Sequence, residues 1–356
     1  MDEKRIVALV MAGGGGTRFW PRSRRLRPKQ FLAFEDERSL LALTVDRLSG
    51  LVPPEQTLVI TGKQHVDLAA RETNLPPASI VGEPCLRDTA ACIGYGALLA
   101  RSIREDAVML VTPADHIISP TDRFQAIVRR AAEIAASSNV LVTIGLRPHR
   151  PATGYGYIET GERIDDARPS ARKVVRFCEK PDQETARRFL LAGRYVWNSG
   201  MLVFTPNVML DAIKKHLPEL HAGLMSIKDP FDAGEVARVY EELPRISIDF
   251  GVLEKAEDKV VVEADFEWDD VGTFEALARH REPDAENNVA RGEAVFVDSK
   301  GSLIDNDAEG LVVVCGLDDV LVVRTQDAVL VIPRKDAERV KEVVARLEEL
   351  GRERFL

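Results

Sequence analysis

An unbroken apolar run, Ile6–Met11, leads into four consecutive glycines, Gly13-Gly14-Gly15-Gly16. A run with no polar alternation reads as a strand buried on both faces, as a central strand of a parallel sheet is. Glycines directly after it leave backbone N–H groups uncovered by side chains, which suits an anion such as a phosphate chain. Thr57–Thr61, Val108–Thr112 and Val140–Ile144 read as further strands, and Leu40–Leu48, Ala90–Arg104 and Phe124–Ala136 carry helical spacing between them. Strands alternating with helices predict an α/β domain with a mainly parallel sheet. In such sheets ligands bind beyond the carboxyl ends of strands, where both the glycine loop and Asp115 fall.

The middle of the chain is more mixed. Tyr155–Glu159, Lys173–Glu179, Met201–Phe204 and Val260–Ala264 read as strands, and Ala186–Ala192 as a helix. The texture changes after residue 284. Short β-rich runs follow at Glu293–Asp298, Leu311–Cys315, Val320–Arg324 and Ala328–Ile332, separated by Gly and Asp turns. That spacing predicts a small all-β unit. In the closing segment Asp336–Leu350, the residues Val340, Val343, Val344, Leu347 and Leu350 line one helical face, with Gly351 as the stop. The expected division is a domain of residues 1–284 and a small C-terminal unit of residues 285–356.

Composition narrows the function classes. A net charge of −9 argues against broad electrostatic binding to nucleic acid, so any phosphate site must be a local basic pocket. Lys4 and Arg5 before an apolar run superficially resemble a signal peptide, but the run is short, lacks a small-x-small cleavage site and ends in glycines and arginines. No apolar stretch approaches the ~18–20 residues of a membrane span. The four cysteines, Cys85, Cys92, Cys178 and Cys315, form neither a CxxC pair nor a zinc-ligand spacing. They read as incidental thiols of a reducing cytoplasm.

The glycine loop continues as Thr17-Arg18-Phe19-Trp20-Pro21, then Arg27-Pro28-Lys29-Gln30-Phe31. It is not a dinucleotide fingerprint, because the third glycine would fall at Arg18 or Phe19. Nor is it a Walker A loop, since no Gly-Lys-Ser/Thr follows. Arg18 and Lys29 add fixed positive charge beside the glycines, Arg as a bidentate phosphate partner and Lys as a point charge. Gly13–Arg18 together with Arg27-Pro28-Lys29-Gln30 resembles the signature of the sugar-nucleotide pyrophosphorylases. The Arg-Pro-Lys-Gln-Phe form looks most like those that transfer guanylyl to mannose 1-phosphate. Several separated motifs carry the resemblance over nearly the whole chain.

The resemblance implies a Rossmann-like nucleotidyltransferase domain followed by a left-handed β-helix fragment, without the isomerase domain of longer relatives. It implies attack of α-D-mannose 1-phosphate on the α-phosphorus of GTP, giving GDP-mannose and pyrophosphate with Mg²⁺. A homodimer is compatible with the apolar C-terminal pieces. Gly13, Gly14, Gly15, Gly16 and Thr17 are the expected phosphate cradle, with Arg18 and Lys29 as catalytic cations. Asp115, in Thr112-Pro113-Ala114-Asp115-His116, and Asp270, in Trp268-Asp269-Asp270-Val271-Gly272, are the implied metal ligands. Mg²⁺ takes one or two carboxylates with phosphate and water completing its octahedron. Alone, Asp115 also reads as a turn former, and His116 reads as structural.

Three motifs resemble the sugar site: Thr153-Gly154-Tyr155-Gly156-Tyr157, Phe177-Cys178-Glu179-Lys180-Pro181 and Trp197-Asn198-Ser199-Gly200. Gly156 is assigned a backbone contact, and Glu179 and Asn198 the hydroxyls, since an unpaired hydroxyl is costly. Individually these motifs also read as a strand kink, a surface ion pair and core. Ser247-Ile248-Asp249-Phe250-Gly251 leads to Lys255, either a sugar-phosphate contact or a solvated lysine. Glu83-Pro84-Cys85-Leu86-Arg87-Asp88-Thr89 resembles the border of the base site, with Glu83, Arg87 and Thr89 assigned to the nucleotide. The family's usual Asn is Asp88 here, and an ionised Asp cannot donate. Arg87 contacts the nucleotide or pairs with Asp88. Two rivals remain: a thymidylyl-, uridylyl- or adenylyltransferase for glucose 1-phosphate, and a silent sugar-nucleotide-binding regulator.

Overall fold

The computed structural model describes residues 3–34 and 37–356. Packing divides the chain into two compact units: Met1–Gly13, Leu43–Ala114 and Ile118–Trp268 form the first, and Gly14–Ala42, Asp115–Ile117 and Asp269–Leu356 the second.

The first unit holds a nine-stranded mixed sheet. Its strands in chain order are β1 (Ile6–Ala12), β2 (Thr57–Gly62), β3 (Ile80–Glu83) and β4 (Val108–Pro113), then, after the separate short strand β5 (Ile117–Ser119), β6 (Leu141–Leu146), β7 (Tyr157–Arg163), β8 (Ala171–Cys178), β9 (Tyr195–Phe204) and β10 (Lys259–Ala264). The spatial order is β3-β2-β1-β4-β9-β6-β10-β8-β7. β1 runs parallel to β2 and β4, and β6 to β10, while β9 lies antiparallel between β4 and β6. Ile6–Val10 are buried throughout, as an apolar run without alternation requires.

The helix Asp88–Ile103 is built of small apolar residues because it is enclosed. A Cβ at Gly96 would lie 2.5 Å from Leu9 Cδ2 and 2.9 Å from the Met109 methyl. Pro206–His216, Pro218–Ser226 and Ala233–Tyr240 complete this core with Ile213, Leu220, Leu224, Val236 and Tyr240. Thr121–Ser138 buries Phe124, Ile127, Val128 and Ala131 and packs against β4, β6, β9 and β10.

Met201–Phe204, read as a short strand, is the second half of the ten-residue β9. Asn198-Ser199-Gly200 masks the first half in the sequence. Gly200 has φ +72°, and the β6–β9 register shifts between Thr143 and Gly145. An irregularity of this kind re-aims a side chain.

In the second unit β12 (Val289–Arg291), β14 (Leu303–Asn306) and β16 (Val320–Arg324) stack in parallel, and β17 (Val329–Pro333) closes the stack antiparallel; β13 (Ala294–Val297) pairs in parallel with β15 (Val312–Cys315). The remaining short strand, β11 (Glu267–Asp269), precedes this stack in the chain. Ile304, Val314 and Val322 fill the interior of this β-helix-like stack. A second cluster joins Phe19, Trp20, Leu32, Phe34 and Leu40 to Val271, Phe274, Leu303, Leu321, Val323 and Val340, so the signature segment shares a core with the stack. The helix Val340–Glu349 follows a 3₁₀ segment, Arg334–Arg339. Val340 is buried and Val343, Val344 and Leu347 pack on the core, but Leu350 lies past the helix end and is 55% exposed. Gly351, at φ +62°, ends the helix, and Arg352 N–H donates to the Leu347 carbonyl across it.

Candidate active site

In the second unit Gly16 has φ +56° and heads a 3₁₀ turn over Thr17–Phe19. Its carbonyl accepts from Phe19 N–H at 3.0 Å and from Ser23 Oγ at 2.6 Å. A Cβ here would sit 2.5 Å from Lys29 Cβ and 2.7 Å from Lys29 N, so only glycine lets the Lys29 backbone pack against the loop. Gly14, Gly15, Thr17 and Arg18 are exposed, as is Gly13, the last residue of the first unit's N-terminal segment. The exposed loop backbone and the Arg18 guanidinium are open to a ligand.

Lys29 is 7% exposed. Its ammonium lies 2.7 Å from Asp115 Oδ2, donates to the Asp270 carbonyl at 2.5 Å, and stands 5.9 Å from the centre of the Phe19 ring. One buried cation thus links both aspartate segments. Burial alone would raise the Asp115 carboxyl, but the charges of Lys29 and His116 more than offset it and hold it below its ordinary value. It is therefore an ionised oxygen donor at neutral pH.

Adjacent Asp269 and Asp270 differ in their surroundings. Asp269 is buried, receives Arg279 Nη2 at 2.7 Å and lies 3.5 Å from His280 Nε2. Its Oδ1 accepts Val271 N–H at 2.8 Å. Burial opposes ionisation, yet His280 and Arg279 bring its carboxyl down to about 2. Asp269 therefore clamps the turn. Asp270 faces Gly272, where a Cβ would lie 3.2 Å from its Oδ2. Between them Val271 is fully buried at φ +46°, rare for a β-branched residue. Strain of this kind is retained where surrounding structure over-determines it, and it gathers at ligand sites. Two carboxylate-bearing segments drawn onto one lysine supply the hard oxygen donors Mg²⁺ prefers. Among the described residues no group of three or more His, Cys, Asp and Glu is placed to hold an ion.

The first unit carries two further clusters. In one, Glu83 is buried and accepts the Tyr240 hydroxyl at 2.5 Å, with burial raising its carboxyl. Arg87 Nε donates to the Tyr240 carbonyl at 3.1 Å, and its Nη2 to that of Glu241, rather than pairing with Asp88. Asp88 has φ +65° and accepts Thr89 N–H at 2.8 Å, while Thr89 Oγ1 accepts Ile248 N–H at 2.8 Å. Asn and Asp are the non-glycine residues that best tolerate this backbone, which accounts for either at position 88. The side chains of Glu83, Arg87 and Thr89 thus hold the segment together.

The other cluster gathers Gly156, Glu179 and Asn198. A Cβ on Gly156 would lie 2.6 Å from Glu179 Oε2, so the missing side chain makes room for that carboxylate. Asn198 N–H donates to the Gly156 carbonyl at 2.8 Å. Trp197, 2% exposed, packs edge-on to Tyr155 and His149, as core. Lys255 is exposed, and its charge acts on His216, whose imidazole is lowered by burial first and then by Lys215 and Lys255. Sequence reasoning passed over Thr143 and Asp249, which bond to the Asn198 amide at 3.2 Å each. Asp249 lies in the segment Ser247–Gly251, whose spacing gives no link to Asn198.

Residues 7–287 match the family model described as nucleotidyl transferase, and residues 292–347 one described as a mannose-phosphate isomerase/GMP-like β-helix domain. The chain is 38% identical over 309 residues to a mannose-1-phosphate guanylyltransferase of Escherichia coli, covering 85% of this chain and 65% of that protein. A second E. coli mannose-1-phosphate guanylyltransferase, of strain K12, is 39% identical over 317 residues, covering 85% and 66%. The chain therefore spans just under two thirds of these curated relatives. A crystal structure from Thermus thermophilus, described as a mannose-1-phosphate geranyltransferase, superposes with a TM-score of 0.87 at 38% identity, covering 97% of this chain and 99% of that one.

Proposed function

Because the chain belongs to the nucleotidyl transferase family, we propose that it transfers a guanylyl group from GTP to α-D-mannose 1-phosphate, giving GDP-mannose and pyrophosphate. The observation that carries this is Lys29, a buried ammonium bonded to the Asp115 carboxylate and to the backbone of Asp270 beside a glycine loop. The mannose and guanine assignments rest on the names of relatives that this chain matches at 38–39% identity.

In this reading Gly13–Gly16 and Thr17 cradle the triphosphate, and Arg18 and Lys29 neutralise it. Asp115 and Asp270 hold Mg²⁺, which when bound supplies further charge neutralisation and polarises the reacting phosphoryl group. The sugar phosphate is largely ionised at neutral pH, since a phosphate monoester has its second pKa at about 6. No protein base is then required, and the chain's task is alignment and charge. Glu179, Asn198 and the Gly156 backbone bind the sugar, Lys255 its phosphate, and the segment held by Glu83, Arg87 and Thr89 borders the base. A cytoplasmic location fits four free thiols. A homodimer completes the reading, with exposed Val295, Val297 and Val313 as its apolar surface.

The test is chromatographic detection of GDP-mannose from GTP and mannose 1-phosphate, with Mg²⁺ and with excess chelator. We expect product only with the free divalent ion, restored when Mg²⁺ is returned. Full turnover in excess chelator contradicts the metal assignment.

A further inference from the structure

We propose that Asp249 is a positioning residue for sugar recognition: it fixes which way round the Asn198 amide stands, and so sets which hydroxyl configuration is accepted. This rests on the reading of Glu179 and Asn198 as the sugar's partners.

The Asn198 amide is held at both ends. Its Oδ1 accepts from Thr143 Oγ1 at 3.2 Å and from Gly200 N–H at 3.3 Å, which uses both lone pairs. Its Nδ2 donates one hydrogen to Asp249 Oδ1 at 3.2 Å. Turning the amide over would set oxygen against the Asp249 carboxylate and an N–H against the Gly200 N–H. With Asp249 in place, Asn198 has one N–H left for a ligand and no acceptor. The acceptor this cluster offers a ligand is then the Glu179 carboxylate, which stands beside Gly156 and Lys180. Such a set distinguishes epimers, because a misplaced hydroxyl leaves a partner unpaired.

Asp249 reaches this place from an unusual element. It opens a five-residue π-helical turn, Asp249–Leu253, whose Gly251, Val252 and Leu253 are buried. The charged groups acting on Asp249 are Glu179 and Lys180, and Lys180 Nζ lies 3.3 Å from Glu179 Oε1. Burial first and Glu179 second push the Asp249 carboxyl up to about 6, despite Lys180 and the Asn198 bond. Its hold on Asn198 is charge-assisted above that pH and neutral below it.

The experiment measures KM and kcat for mannose 1-phosphate and glucose 1-phosphate in the wild type, Asp249→Ala and Asp249→Asn, from pH 5 to 8. In Asp249→Ala the KM for mannose 1-phosphate should rise roughly tenfold or more, as expected for losing a hydrogen bond to a charged group. Discrimination against glucose 1-phosphate should fall by a similar factor, with the KM for GTP changed far less. Asp249→Asn should restore discrimination at pH 7.5, because its amide oxygen can still accept from Asn198. The substrate's own phosphate titrates at about pH 6 in every variant, so the readout is the difference from wild type. The additional KM change of the wild type near pH 6 should vanish in Asp249→Asn.

Unchanged discrimination in Asp249→Ala overturns the proposal. Parallel loss of both substrates' KM and of kcat does so too, since that marks a structural role. If Asp249→Ala does not fold, Asp249→Asn decides, and a pH profile identical to wild type overturns the proposal. Wild-type protein that turns over no sugar phosphate refutes the underlying sugar reading and Asp249's role with it, whereas active wild type with unaltered variants refutes Asp249's role alone.

Discussion

Lys29 is held by oxygens from Asp115 and from Asp270, so its charge is in place before any ligand arrives. Preorganisation of this kind is where charge-based catalysis draws its advantage. Asp115→Ala should therefore reduce turnover by ~10²–10³-fold, the usual loss for one electrostatic stabiliser, in steady-state assays of folded protein. Near-normal turnover would remove Asp115 from the site. Gly16→Ala should act on the same lysine. The left-handed backbone alone costs roughly 1–2 kcal/mol, and the new Cβ would displace Lys29, 2.5 Å away. Urea unfolding should show a clear loss, since displacing the Lys29 backbone adds to the backbone cost, while turnover of the still-folded variant falls further than that loss explains; turnover lowered only as far as unfolding accounts for would separate Gly16 from catalysis. At this scale the sequence offers candidates where chemistry requires a residue type, as with the glycines, Arg18, Lys29 and the two aspartates. It was silent where a role depends on three-dimensional pairing. Asp249 and Thr143 are defined by the amide they both hold, 51 and 55 residues away in the chain.

Among the elements, the turn after Trp268 shows how one aspartate can build what its neighbour uses. Asp269 is buried and paired with Arg279 and His280, so its carboxyl titrates at about 2 in the folded chain. A depressed folded value adds stability that is complete above the unfolded pKa of about 4 and is lost as pH falls through about 2. That shift corresponds to ~2 kcal/mol at 1.36 kcal/mol per unit. Asp269→Asn should lower unfolding free energy by about this amount at pH 7 and by little near pH 2, as measured by denaturant titration at both pH values. A loss independent of pH would show that packing, not charge, is what Asp269 supplies. Element prediction from the sequence worked where apolar runs were continuous, as at β1, β2, β4, β6 and β10. It failed for the first half of β9, where Asn198-Ser199-Gly200 interrupts the pattern at the bend that aims Asn198. The short strands β3, β12 and β14, of three or four residues, carry too little periodicity to read.

At the scale of the whole molecule, sequence texture and packing divide the chain at different places. The change of texture after residue 284 is one of strand spacing; of the two family models, one ends at 287 and the other starts at 292. By packing, however, Gly14–Ala42 belongs with the β-helix-like stack. Trp20 Nε1 donates to the Phe355 carbonyl at 2.7 Å, Arg24 pairs with Asp327 at 2.7 Å, and Arg22 lies buried against Asp305 at 3.2 Å. No spacing rule links residues about 300 apart, so this anchoring of the signature segment could not be read in advance. Its consequence is that Arg18 and Lys29 sit on a segment braced by the C-terminal stack, while Asn198 sits on β9 of the large sheet and Glu179 directly after β8. Pyrophosphate release should be measured with Mg²⁺ for GTP, dTTP, UTP, ATP and CTP, each against mannose-, glucose- and fucose-1-phosphate. Release greatest with GTP and mannose 1-phosphate is the predicted result. Release greatest with another pair would overturn the base or sugar assignment, and no release from folded protein with any pair would contradict the central claim and favour a silent sugar-nucleotide-binding regulator.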